Sequence, residues 1–70
     1  MNQPLASYSM RGDKVVIYFD LQDLVYSEDK LQAAIDAITR NKAEYATEEV
    51  WRDHLAVYEG AMKFLKGYQS

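Results

Sequence analysis

The chain has no cysteine, so it can form no disulfide and build no thiolate zinc site, two common supports of small folds. Three glycines and one proline in 70 residues are too few for a linker or a low-complexity tract. Long apolar runs are also missing, and none approaches the ~20 residues a membrane span requires. Met1-Asn2-Gln3-Pro4 has neither the basic start nor the apolar core of a secretory signal, so the expectation is a cytoplasmic protein. Clustered positive charge is absent too. The eight lysines and arginines sit singly, at Arg11, Lys14, Lys30, Arg40, Lys42, Arg52, Lys63 and Lys66, each near an acid or an apolar residue. With 11 acids the net charge is −3 and the pI about 4.9, which repels phosphate backbones and anionic membranes on average. Neither nucleic acid nor membrane is an expected partner.

What remains is 49% apolar and 13% aromatic, the composition of one small globular domain over residues 1–70. Below about 70 to 80 residues a single core rarely supplies more than ~3 to 5 kcal/mol. Without cysteine, the remaining means of support are association with a second copy or binding to a larger protein.

From Leu5 to Leu21 apolar residues recur with a period of two, broken by Arg11-Gly12-Asp13-Lys14. With Gly12-Asp13 as a two-residue type II′ loop, Met10 faces Val15, Tyr8 faces Ile17 and Ala6 faces Phe19, all on one apolar side. The other side sets Ser9 against Val16 and Ser7 against Tyr18, a half-wet surface. Residues 20–27 fit either a continued strand or a loop returning Leu24 and Val25 to the core. Ser27 reads as a helix N-cap followed by Glu28 and Asp29, and Leu31, Ala34, Ile35 and Ile38 share an arc of about 100°. This first helix should cover about 28–40, with Asp36 and Arg40 as an i,i+4 pair.

Thr47 is the next N-cap, and its helix should run from about 47 to 66, with Gly67 ending it. At ~100° per residue, Trp51, Leu55, Tyr58, Met62 and Leu65 form one apolar stripe, and Val50, His54, Val57, Ala61 and Phe64 form a second beside it. A surface helix needs an apolar arc only a little over ~100° wide. The expectation is therefore that one stripe meets another molecule. Tyr18, Tyr26, Tyr45 and Tyr58 add to this, because tyrosine and tryptophan concentrate at binding hot spots. The candidate partner or dimer interface comprises Val50, His54, Val57, Ala61, Phe64, Tyr18 and Tyr58.

No set of residues points to catalysis. His54 is the only histidine; its neighbour Asp53 lies ~100° away on the helix and no second histidine or cysteine exists to join a metal or nucleophile site, so it reads as a boundary residue, at an interface. Asp20, Asp23, Glu28 and Asp29 lack the spacing and the glycine of a calcium loop and read as solvated charges. Gly12, Gly60 and Gly67 are isolated and cannot cradle a phosphate. Arg11-Gly12-Asp13 spells an integrin tripeptide, but Gly-Asp is also good turn chemistry. No cofactor or metal is expected.

The order strand, helix, helix in a short chain is similar to that of ribbon-helix-helix repressors, a resemblance that implies a strand-paired dimer reading DNA. The chain departs from that pattern in three places. Its strand has a partner of its own, eight residues precede the first helix, and Thr47-Glu48-Glu49 puts acids where phosphates would want free amides. The sequence thus reads as an α+β domain, a β-hairpin (about 5–21) followed by two α-helices. It would work as a non-enzymatic protein-interaction module, a regulator or inhibitor acting by stoichiometric occlusion and forming a homodimer. A DNA-binding repressor and a small scaffold or assembly protein are the alternatives, and the size and acidity are those of phage and mobile-element accessory proteins.

Overall fold

The computed structural model describes residues 6–19 and 21–69. Leu5, the expected start of the hairpin, Asp20, Ser70 and the segment Met1–Pro4 lie outside the described residues. The fold is α+β: strands β1 (Ser7–Arg11), β2 (Lys14–Phe19) and β3 (Gln22–Tyr26) form one antiparallel sheet in the order β1-β2-β3. Helices α1 (Glu28–Arg40) and α2 (Glu48–Gln69) follow, joined through a single 3₁₀ turn at Lys42–Glu44.

The hairpin register is the expected one, with Tyr8 opposite Ile17, Met10 opposite Val15 and Arg11 opposite Lys14. Gly12 sits at φ +64°, where an L side chain is strained, and Asp13 does not share the positive φ, the sign pattern of a type II′ loop. The expected Ala6–Phe19 pair is not part of the ladder, which begins at Ser7. Residues 20–27 hold a third strand rather than a loop, and this corrects the hairpin to a three-stranded meander. Leu24 and Tyr26 alternate onto the face that already carries Ile17 and Val15, as their pairing across β2 requires. The ribbon-helix-helix likeness does not extend to this sheet, in which all three strands pair within one chain.

Both helices cover that one face. Val15, Ile17, Leu31, Ile38, Val57, Tyr58, Ala61 and Leu65 form the core, with Trp51, Leu55 and Met62 packed at its margin. Ser27 caps α1 by accepting from the Lys30 amide, and the Thr47 hydroxyl caps α2 by accepting from the Val50 amide at 3.1 Å. Asp36 accepts from the Gln32 amide group rather than pairing with Arg40. The helices are locked together where the Trp51 indole donates to the Ile38 carbonyl (2.8 Å) near the end of α1.

Gly67 does not end α2. A glycine stops a helix by taking a left-handed φ, and Gly67 does not. The resulting 22 residues span about 33 Å, against roughly 17 to 20 Å for strands of five or six residues. A helix longer than its sheet must overhang it. The apolar excess foreseen on α2 is therefore mostly covered along its middle and bare near the ends: Val57 and Ala61 are 3% and 0% exposed, while Val50 is 49% exposed and Tyr68 is exposed.

Beyond its packing on β2, α2 meets β1 at one close approach. The Tyr8 hydroxyl donates to the Val57 carbonyl at 2.7 Å, and a Cβ at Gly60 would lie 2.5 Å from the Tyr8 hydroxyl oxygen. Burial raises the Tyr8 hydroxyl above its ordinary pKa.

Two stability predictions follow from local geometry. Gly60→Ala should destabilise by about 1 to 3 kcal/mol by displacing Tyr8. In a Tyr8→Leu background the same change should turn neutral or stabilising, up to the ~1 kcal/mol helix preference of alanine. Urea unfolding of the four proteins reads this, and a sign that does not reverse would refute the contact. Leu21 is fully exposed at φ +66°, so Leu21→Gly should raise stability by about 1 kcal/mol, because it relieves left-handed strain and loses no packing.

Candidate functional site

The half-buried aromatic side chains converge where the end of β2, the connection before α2 and the first turns of α2 meet. The extended Tyr45 backbone, between the 3₁₀ turn and the Thr47 cap, turns its ring back onto α2. Its hydroxyl lies 2.6 Å from His54 Nδ1. The His54 ring stacks on Phe19 (centroids 6.1 Å apart) and meets Tyr58 edge-on at 5.1 Å. Tyr58 continues the chain to Tyr26, with hydroxyls 3.1 Å apart and rings in a T-shape. Five rings from four parts of the chain are thus linked, with their polar tips paired among themselves, which lets polar aromatics border an apolar core without an unsatisfied group.

Beside this chain Phe19, Tyr45, Val50, Asp53 and His54 line a concavity of about 250 Å³. Its walls are almost wholly apolar and Asp53 supplies the charge. Asp53 forms no ion pair among the described residues, because the helix offers it Glu49, Val50, Ala56 and Val57 at positions three and four away and none is basic. Glu49 is a like charge at i−4, which adds to the negative potential. A wider trough of about 590 Å³ runs between the helices past Gln32, Glu59 and Lys63. It is more polar, the shallow groove any two packed helices leave.

The expected interface residues separate. Val50 and His54 meet at the concavity. Val57, Tyr58 and Ala61 belong to the chain's own core and present almost no surface, which corrects their placement on an outward stripe. Phe64, 39% exposed, lies on the other side of Tyr8, with ring centroids 5.9 Å apart. Tyr18 is exposed on the open sheet face with Val25, flanking the buried Val16. Phe19 and Asp53 were not foreseen at the site. Phe19 is an apolar strand position indistinguishable by pattern from Ile17, and Asp53 reads as one acid among several.

Burial raises the Tyr58 hydroxyl well above the ordinary phenol range, reinforced by its hydrogen bond with Tyr26 and by the nearby Tyr26 and Tyr45 phenols. A group whose folded pKa lies above its unfolded value of about 10 contributes stability below that pH and loses it as pH climbs further. Stability should therefore fall above pH ~10, and less steeply in Tyr58→Phe. Urea midpoints between neutral and strongly alkaline pH test this, and identical slopes in the two proteins would contradict it.

No helix among the described residues is long and apolar enough to cross a membrane. No known family model matches the chain, and no curated protein or solved structure matches it.

Proposed function

We propose that this chain is a small acidic, non-catalytic protein-interaction module that regulates or inhibits a partner protein by occluding one of its surfaces. The observation that carries the reading is the apolar concavity at the start of α2. It is lined by Phe19, Tyr45, Val50 and His54 and edged by the uncompensated Asp53. Pockets of this kind accept an anchoring side chain, and aromatic residues fixed by their own hydrogen bonds lose little freedom when one arrives. Glu49 and Asp53 would steer a partner that presents an apolar anchor beside a basic residue, raising the association rate more than the final affinity. The fully exposed Leu21, two residues beyond Phe19 at the hairpin tip, adds a second apolar point near the same end. Strain and exposure together at one residue are a pattern that functional positions show more often than structural ones. A cytoplasmic setting belongs to the same reading, since the fold relies on no disulfide.

The experiment is affinity capture from the native cell, followed by titration of the purified partner in a calorimeter. A saturable 1:1 complex should form, weakened more than tenfold by Val50→Asp and salt-sensitively by Asp53→Asn, while Lys30→Glu on the far side of α1 should leave it within about twofold. Equal weakening by all three variants, or no saturable partner, would contradict the proposal.

A further inference from the structure

We infer that two copies of this chain join edge to edge through β1, making one six-stranded antiparallel sheet with the two α2 helices antiparallel across the seam. The inference deepens the proposed reading by naming a second copy as one partner, and it uses a different surface from the concavity.

Arg11 and Lys14 flank a two-residue loop and so form a hydrogen-bonded pair; by alternation Ser7 and Ser9 also bond toward β2. The backbone N–H and C=O groups of Tyr8 and Met10 therefore point outward, and no other described strand lies on that side. Proteins usually guard such an edge with charge, proline or a bulge. From Ser7 to Met10 this edge has no charge and no proline, and its register with β2 runs without a bulge. The opposite edge differs: the same alternation makes Asp23 and Val25 the outward-bonding residues of β3, so an acid guards it.

The unguarded edge is complementary to itself. A two-fold axis through Ser9 sets Tyr8 opposite Met10 of the second copy and satisfies both backbone groups of each residue. It sets Ser9 against Ser9 and Ser7 against Arg11, so no like charges face one another. The helices fit the same axis. α2 packs mainly over β2 and reaches β1 through Tyr8, so this axis sets the two copies of α2 antiparallel on the same face, one on each side of the seam. The flank of α2 beside β1 carries the half-exposed Phe64, whose ring meets Tyr8.

Sedimentation from micromolar to several hundred micromolar concentration, with amide hydrogen exchange and the variants Ser9→Lys and Ser9→Glu, tests the assignment. Ser9 is half-buried opposite Val16 on the face away from the helices, and circular dichroism checks that each variant keeps the fold. Wild-type protein should dimerise, and the Tyr8 and Met10 amides should exchange more slowly as concentration rises. Each variant alone should bind itself at least tenfold more weakly, and an equimolar mixture should form heterodimers. A wild-type monomer throughout that range would overturn the inference, as would a dimer unaffected by both variants. Val50→Asp should leave the dimer intact, so failure here and failure of partner binding are read separately.

Discussion

One contact sets the relation between the two layers of this domain: the Tyr8 hydroxyl reaching over the sheet edge to the Val57 carbonyl, in space that exists only because residue 60 has no side chain. A buried phenol must find a partner, and a helix carbonyl has a second lone pair to offer. That requirement ties α2 to the edge strand β1 as well as to β2, against which most of it packs. The position of α2 then decides which of its apolar residues are covered. Val57, Ala61 and Leu65 fall on the sheet, Trp51 and Leu55 fall toward α1, and the helix overhangs a sheet shorter than itself.

The chain Phe19–His54–Tyr45 with Tyr58–Tyr26 does the corresponding work on the other side of α2. Each ring pair is worth roughly 0.5 to 1.5 kcal/mol beyond the area it buries. In a domain this small that is a substantial share of the total. The network ties β2, β3 and the connection before α2 to one face of α2, and leaves Val50 uncovered where the helix projects past Phe19. The candidate binding cleft and the stability of the fold thus rest on the same rings, so substitutions at the rim, Val50 and Asp53, probe binding more cleanly than substitutions at His54 or Tyr58.

Much of this was legible in the residues alone. A two-residue loop admits one register, so Gly12-Asp13 determined every pair from Ser7 to Lys14, and hydroxyl residues ahead of paired acids marked the start of both helices. β3 was ambiguous because Gln22 and Asp23 dilute its alternation and no glycine marks the turn before it; the chain makes that turn with a strained leucine instead. Gly67 misled because a glycine's position does not reveal its φ. The two stripes on α2 were real, but periodicity cannot tell a surface met by the chain's own sheet from one left open, and that depended on Tyr8, 49 residues away from Val57.

The central claim is that α2 is docked on the sheet edge by Tyr8 entering the gap at Gly60. Nuclear Overhauser contacts in the isolated protein at neutral pH measure it most directly. Strong contacts from the Tyr8 ring to the Gly60 α-protons and to the Phe64 ring are the predicted result. Their absence, with Tyr8 averaging freely in solvent while the sheet and helices stay intact, would contradict the account.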